Sequence, residues 1–274
     1  MRLLKRRNED EFSLIERLND DIPPYAILSH TWGGDDDEVT FKDLKEDTGK
    51  NKAGYDKIRF CRNQAASDGL EFFWVDTCCI DKTSSAELSE AINSMFRWYD
   101  GAAKCYVYLT DVSTHGDSTN HLYHPPWEAD FLKSRWFTRG WTLQELLAPA
   151  SVEFFSKEGE RLGDKTSLER QVHDITGIDI RALQGSPLSC FTIDERMSWA
   201  KQRETKREED AVHSLLGIFD IYLSPLYGIG KKKAFARFWE EIEKPVMDEL
   251  SDLTPTPCKI GLSVLADPNQ PALE

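Results

Sequence analysis

No stretch of this chain approaches the roughly 20 consecutive apolar residues of a membrane-spanning helix, so no span is expected in its 274 residues. Positive charge is scarce too: 34 Lys and Arg stand against 48 Asp and Glu, a net charge of -14. Phosphate neutralisation requires a basic surface, so general nucleic-acid binding is not expected. The six cysteines include no C-x-x-C pair, which removes the usual zinc spacing. The nearest thing to a metal pair is "HLYH" (His121 and His124), in a polar loop without nearby cysteines. No metal and no cofactor are expected. A G-x-x-x-x-G-K-[ST] loop is missing as well; "GIGKKKAF" (228–235) lacks both the spacing and a preceding strand. The opening "MRLLKRRNEDEF" has basic residues but no apolar segment after them, unlike a secretory signal. The expectation is a cytoplasmic protein with Cys61, Cys78, Cys79, Cys105, Cys190 and Cys258 reduced and most of them buried as small hydrophobes.

What is present describes a globular chain, 40% hydrophobic and 30% charged. "YAILSH" (25–30), "FFWVD" (72–76), "CYVYL" (105–109) and "VEFF" (152–155) are short apolar runs of buried-strand type. Between them, Tyr55, Ile58, Cys61 and Ala65 recur at helical spacing. So do Leu88, Ala91, Ile92, Met95, Phe96 and Tyr99, behind an S-x-x-E capping-box pattern at Ser84 and Glu87. Strands separated by helices predict an α/β fold, with a mostly parallel sheet flanked by helices. Beyond about residue 160 the pattern is helical, over 167–176, 192–204, 209–220 and 231–244. The expected organisation is an α/β core over 1–160, a helical extension packed on it over 161–250, and a weakly ordered tail over 251–274. The charge run "KQRETKREED" (201–210) reads as a solvated helix end and turn.

Ligands of parallel α/β sheets bind beyond the carboxyl ends of the strands. Those ends carry "SHTWGG" (29–34) and "DTCCIDK" (76–82). Ser29, His30, Trp32, Gly33, Asp76, Cys79 and Asp81 should therefore gather on one edge, as a site or merely as strand ends leaving a core. Cys78 or Cys79 with His30 could be a nucleophile and base, although adjacent cysteines after a buried strand more often simply pack. A second concentration is "SRWFTRGWTLQELLAP" (134–149), in which Arg135, Trp136, Arg139 and Trp141 surround the lone acid Glu145. A buried helix face with an Arg139–Glu145 ion pair explains it; so does a site where Glu145 meets a ligand.

Taken together, "YAILSHTWG", "FFWVDTCCIDK", "AINSMFRWYDGAAKCYVYLTDV" and "SRWFTRGWTLQELLAP" resemble the successive motifs of the fungal heterokaryon incompatibility (HET) domain. The segment 196–235 resembles the stretch C-terminal to that domain in many fungal proteins. Ile229 stands where the family more often has an acidic residue, and Lys82 where glutamine is common. The resemblance implies a role in allorecognition and programmed cell death, with self-association and receptor modules outside this chain. HET domains are similar in turn to TIR domains, some of which hydrolyse NAD, and "WTLQEL" is similar to the TIR helix whose glutamate is catalytic. That likeness implies a catalytic Glu145 and an NAD-like nucleotide as substrate. Trp32 or Trp141 would stack on its rings, and Arg135 or Arg139 would meet its pyrophosphate. Trp32 occupies a position where TIR domains often have arginine. A non-enzymatic self-association module that kills through partners is the alternative.

Overall fold

In the computed structural model, residues 1–7, 11–17, 21–115 and 125–244 are described, and Met1–Glu243 form one compact unit. His121, His124 and the tail over 251–274 lie outside the described residues. The seven strands are β1 (Arg2–Arg6), β2 (Phe12–Glu16), β3 (Tyr25–His30), β4 (Phe72–Trp74), β5 (Lys104–Tyr108), β6 (Val152–Phe155) and β7 (Arg161–Asp164). They form one sheet in the order β2-β1-β4-β3-β5-β6-β7. The central four pair in parallel, and antiparallel strands close both edges. The α/β fold with flanking helices is therefore as expected. The three edge and near-edge strands β1, β2 and β7 were not legible in the sequence. "RLLKR" and "FSLIE" are short and charged, as strands near a sheet edge often are.

The helices are α1 (Phe41–Lys45), α2 (Tyr55–Ser67), α3 (Asp76–Cys79), α4 (Ser85–Asp100), α5 (Glu128–Phe131) and α6 (Thr142–Leu147). After the sheet come α7 (Glu169–Thr176), α8 (Ile180–Leu183), α9 (Ile193–Ala200), α10 (Asp210–His213) and α11 (Lys231–Ile242). Successive strand residues face opposite sides of a sheet, and β4 uses this to hold two layers. Phe73 meets Phe12, which stacks on Tyr55 of α2, while Trp74 meets Trp98 and Tyr99 of α4 edge-on. Strand β3 is buried along its whole length between parallel neighbours.

Several local expectations change in detail. Strand β4 stops at Trp74, where its pairing with Ile27 ends, and the chain turns directly into α3 at Asp76. Ser84 does cap α4, accepting from Glu87 N at 3.4 Å, but the capping box is only half made. The Glu87 carboxylate instead accepts from Asp81 N at 2.7 Å and from Arg2 Nη2 at 2.9 Å. The expected helix over 209–220 breaks into α10 and a 3-10 turn at Leu216–Ile218. Gly217 sits so close to α4 that a Cβ would stand 2.1 Å from Phe96 Cβ. Cys61, Cys78, Cys79 and Cys105 are buried free thiols, whereas Cys190 is disulfide-bonded, which departs from the expectation for that residue. Among the described residues, no helix is long and apolar enough to cross a membrane.

Candidate functional site

Two carboxyl groups flank the carboxyl end of β3, and different elements place them. Ser29 and His30 are consecutive on the strand, so their side chains leave opposite faces. Ser29 points to the layer of α6. Trp136 Nε1 donates to Ser29 Oγ at 2.8 Å, and Ser29 donates to Glu145 Oε2. An indole nitrogen can only donate, which leaves the serine proton for the carboxyl group. Trp136 lies on the 3-10 turn Arg135–Thr138, which Ser134 caps with its hydroxyl.

Helix α6 carries Glu145 and has no side-chain cap of its own. Its ends are held by tertiary contacts. Thr142 Oγ1 donates to Trp136 O at 2.6 Å at the start, and the buried Lys165 ammonium donates to Pro149 O at 2.7 Å at the end. Glu145 is 9% exposed. Burial pushes its pKa up to about 8, against the opposing pull of the Ser29 hydrogen bond, with Asp76 adding repulsion and Arg203 attraction. At neutral pH the resting group is thus mostly the neutral acid, the form that low-dielectric surroundings favour.

Asp76, the first residue of α3, has the opposite surroundings. His30 Nε2 and Trp32 Nε1 each lie 3.0 Å from one of its oxygens, and Lys82 Nζ lies 3.6 Å away. Burial works to raise the Asp76 pKa, but Lys82 and the His30 and Trp32 contacts outweigh it and hold the group well below the carboxylate range. Trp32 is 41% exposed, with the Lys82 ammonium 3.6 Å over its ring. Asp76 thus ties down an exposed indole.

Of the residues singled out in the sequence, Ser29 and Glu145 meet directly, and His30, Trp32 and Asp76 form a second group. Gly33 lies beside that group, its N–H donating to Glu38 Oε1 at 2.7 Å. Asp81 turns away to accept from Thr83 N at 3.0 Å. Cys79 is buried, with its sulfur 3.5 Å from Val75 N, and Cys78 Sγ lies 3.8 Å from Val75 O. Burial raises the Cys78 thiol well above its ordinary range. With His30 engaged by Asp76, a Cys–His pair does not form. Arg135 is exposed, and its side chain and backbone N–H both turn to Asp111. Arg139 makes no ion pair with Glu145; its backbone carbonyl accepts from Thr142 Oγ1 at 2.9 Å at the start of α6. Trp141 is half-buried against the core at the N-cap of α6.

The cation that acts on Glu145 is Arg203, inside the run that reads as a solvated turn. Residues 203–205 dock on residues 138–140 instead. Gly140 N donates to Glu204 O at 2.9 Å, Glu204 N donates to Thr138 O at 2.6 Å, and Arg203 Nη1 donates to Arg139 O and Thr142 Oγ1 at 2.8 Å each. Gly140 permits this crossing, since a Cβ there would lie 2.4 Å from Thr205 Cγ2. Nothing in the local pattern marks Arg203, whose neighbours are mostly charged. Trp136, Lys82 and Arg203 complete the two groups; the sequence marks Trp136 only as aromatic surface around Glu145 and gives Lys82 and Arg203 no place in the site.

Residues 25–122 match the family described as Heterokaryon incompatibility protein (HET). The chain is also similar to the vegetative incompatibility protein HET-E-1 of Podospora anserina, with 60% identity over 245 residues. The chain carries a HET domain. The similarity covers 89% of this chain and only 18% of that relative, so the chain spans less than a fifth of the protein it matches. No solved structure matches the chain. The matched family segment of this HET domain contains Ser29, His30, Trp32 and Asp76, while Glu145 and Arg203 lie beyond it.

Proposed function

We propose that this HET domain is an effector of heterokaryon incompatibility that acts in allorecognition and cell death by cleaving NAD or a related nucleotide at Glu145. The observation that carries the reading is the placement of Glu145. It is a buried carboxyl group at the carboxyl end of a parallel strand, oriented by Ser29 and Trp136, with a pKa raised by burial to about 8. The likeness of "WTLQEL" to the TIR catalytic helix supports the same role.

The chemistry is dictated by charge. An NAD-type substrate carries a positive pyridinium ring, which favours the ionised form of Glu145. As the bond between ribose C1′ and the ring nitrogen breaks, its electron pair leaves with the ring and positive charge moves to the sugar. A carboxylate against the ribose stabilises that charge most in the transition state. Water then adds to C1′, and Glu145 can take its proton, returning to the resting acid. Trp32, anchored by Asp76 and Lys82, offers an aromatic face for a ring. Arg135 would need to turn from Asp111 to reach a pyrophosphate.

A second reading has its own support. With Glu145 only 9% exposed, the domain could signal by self-association without chemistry, in a cytoplasmic assembly with receptor modules. Incubating the purified chain with NAD over a wide range of protein concentrations, and measuring nicotinamide release, separates the two. Release that rises with concentration and disappears in Glu145→Gln supports cleavage on self-association. Cell killing by Glu145→Gln at the wild-type level, with no release from either protein, would leave only the association module.

A further inference from the structure

We propose that Arg203, reaching from the helical C-terminal half onto the first turn of α6, is a positioning residue that supplies the positive charge against which Glu145 ionises. The proposal rests on Glu145 being the reactive group and adds what controls it. Three observations carry it. Arg203 is seated by two hydrogen bonds of 2.8 Å, to Arg139 O and Thr142 Oγ1, with Trp199 O 3.3 Å from its Nε. Thr142 lies three residues before Glu145 on the same helix, so the two side chains are neighbours on one face. Arg203 Nη2 is buried and makes no hydrogen bond, so the guanidinium keeps donor capacity after it has been seated.

Electrostatics agrees with the geometry. Burial pushes the Arg203 pKa down to about 9, and Glu145 is the group that pulls it back up. The other titratable groups facing Glu145 are Asp76 from α3, Tyr99 from α4 and Cys105 from β5. Asp76 opposes ionisation of Glu145, and burial keeps Tyr99 and Cys105 protonated. Arg203 is the cation among them; the other cation packed on α6, Lys165, sits at the far end and donates to Leu146 O and Pro149 O. Because it comes from residues 203–205, docked by backbone pairing on 138–140, any shift of that segment changes the charge felt by Glu145. The C-terminal half thereby controls the acid without contributing a group to the reaction.

The test reads Glu145 itself, without substrate, and so stands whether or not NAD is cleaved. In protein labelled with 13C at glutamate carboxyl carbons, the Glu145 signal is the one missing from Glu145→Gln, and its titration midpoint is followed by NMR. Arg203→Met keeps the length and removes the charge; the midpoint should rise by at least one pH unit. Arg203→Lys keeps a cation and should stay nearer wild type than Arg203→Met. Thr142→Val, which removes one of the two hydrogen bonds that seat Nη1 and keeps the arginine and its bond to Arg139 O, covers the case in which Arg203→Met does not fold, and should shift the midpoint in the same direction by a smaller amount. A wild-type midpoint in folded Arg203→Met, or in Thr142→Val should the other variant not fold, overturns the proposal. So does an equal rise in Arg203→Lys and Arg203→Met, which would mean that only packing matters. Loss of NAD cleavage in wild type with these midpoint shifts intact would remove the catalytic reading and leave the coupling standing.

Discussion

Glu145 and Asp76 are two carboxyl groups beside one strand end, and they sit at opposite extremes. Glu145 is enclosed by the aromatic layer around Trp136, with a serine hydroxyl as its hydrogen-bond donor. Asp76 stands at the rim and gathers an imidazole, an indole and an ammonium. Burial wins at Glu145 and leaves a neutral acid. Donors and positive charge win at Asp76 and leave a carboxylate. Where neighbouring environments push two acids apart in this way, they divide the work of a site. The group that can exchange a proton near neutral pH is Glu145, and Asp76 is an anchor.

The sharpest break of this contrast is Glu145→Gln. If Glu145 stabilises developing positive charge, the variant should fold as wild type while nucleotide cleavage, measured as nicotinamide release, falls on the order of a hundredfold or more. The fold should survive because glutamine keeps the shape and the neutral charge that Glu145 has at rest.

The next effect is on stability against pH. Glu145 ionises near 8 when folded and near 4.5 in an ordinary carboxyl environment. Between those values the folded protein holds a proton that the unfolded chain has lost. The contribution of Glu145 to stability is thus complete below about 4.5 and declines as pH rises, until it is gone above 8. The total is on the order of a few kcal/mol. Denaturant melts of wild type and Glu145→Gln should diverge across this window, with the glutamine variant gaining relative to wild type as pH rises. Parallel curves would show that burial does not govern this acid.

Asp76 has the opposite sign. Its pKa is depressed when folded, so its contribution is present above its ordinary value near 4 and is lost as pH falls below that. Asp76→Asn leaves His30, Trp32 and Lys82 without their anion. It should cost about 1–3 kcal/mol in denaturant melts at neutral pH, and less at pH 3. The smallest change expected is that of Lys82→Met, no more than ~1 kcal/mol for a partly exposed cation over an indole. Its readout is the Trp32 fluorescence, compared with that of a Trp32→Phe protein, and an unchanged spectrum would separate Lys82 from the anchor.

Legibility in the sequence tracked burial. The central strands β3, β5 and β6 and the buried stripes of α2 and α4 announced themselves, because a segment covered on both sides must be apolar at fixed intervals. Strands β1, β2 and β7 did not, since strands so near the sheet edge tolerate charge and β7 spans only four residues. In the site, Ser29, His30, Asp76 and Glu145 could be picked out as polar residues at strand ends or in apolar company. Cys79 shared their position but turns into the core. Proximity in sequence suggests pairing Arg139 with Glu145, yet α6 begins between them and the Arg139 carbonyl is what meets Thr142 and Arg203.

The sequence by itself determined the α/β alternation, the strand ends that carry polar residues and the presence of one acid in an aromatic helix. Periodicity and residue type suffice for these, because they depend on neighbours within a few positions. Only the tertiary structure decided which acid is neutral and which is charged, because ionisation depends on what surrounds a group. Those surroundings bring Ser29 to Glu145 across 116 residues and Lys82 to Asp76 beside the rim. Arg203 shows the same limit most plainly. Its run of charged residues is solvent-like in composition, yet the tight crossing at Gly140 carries it inward to the helix that bears Glu145.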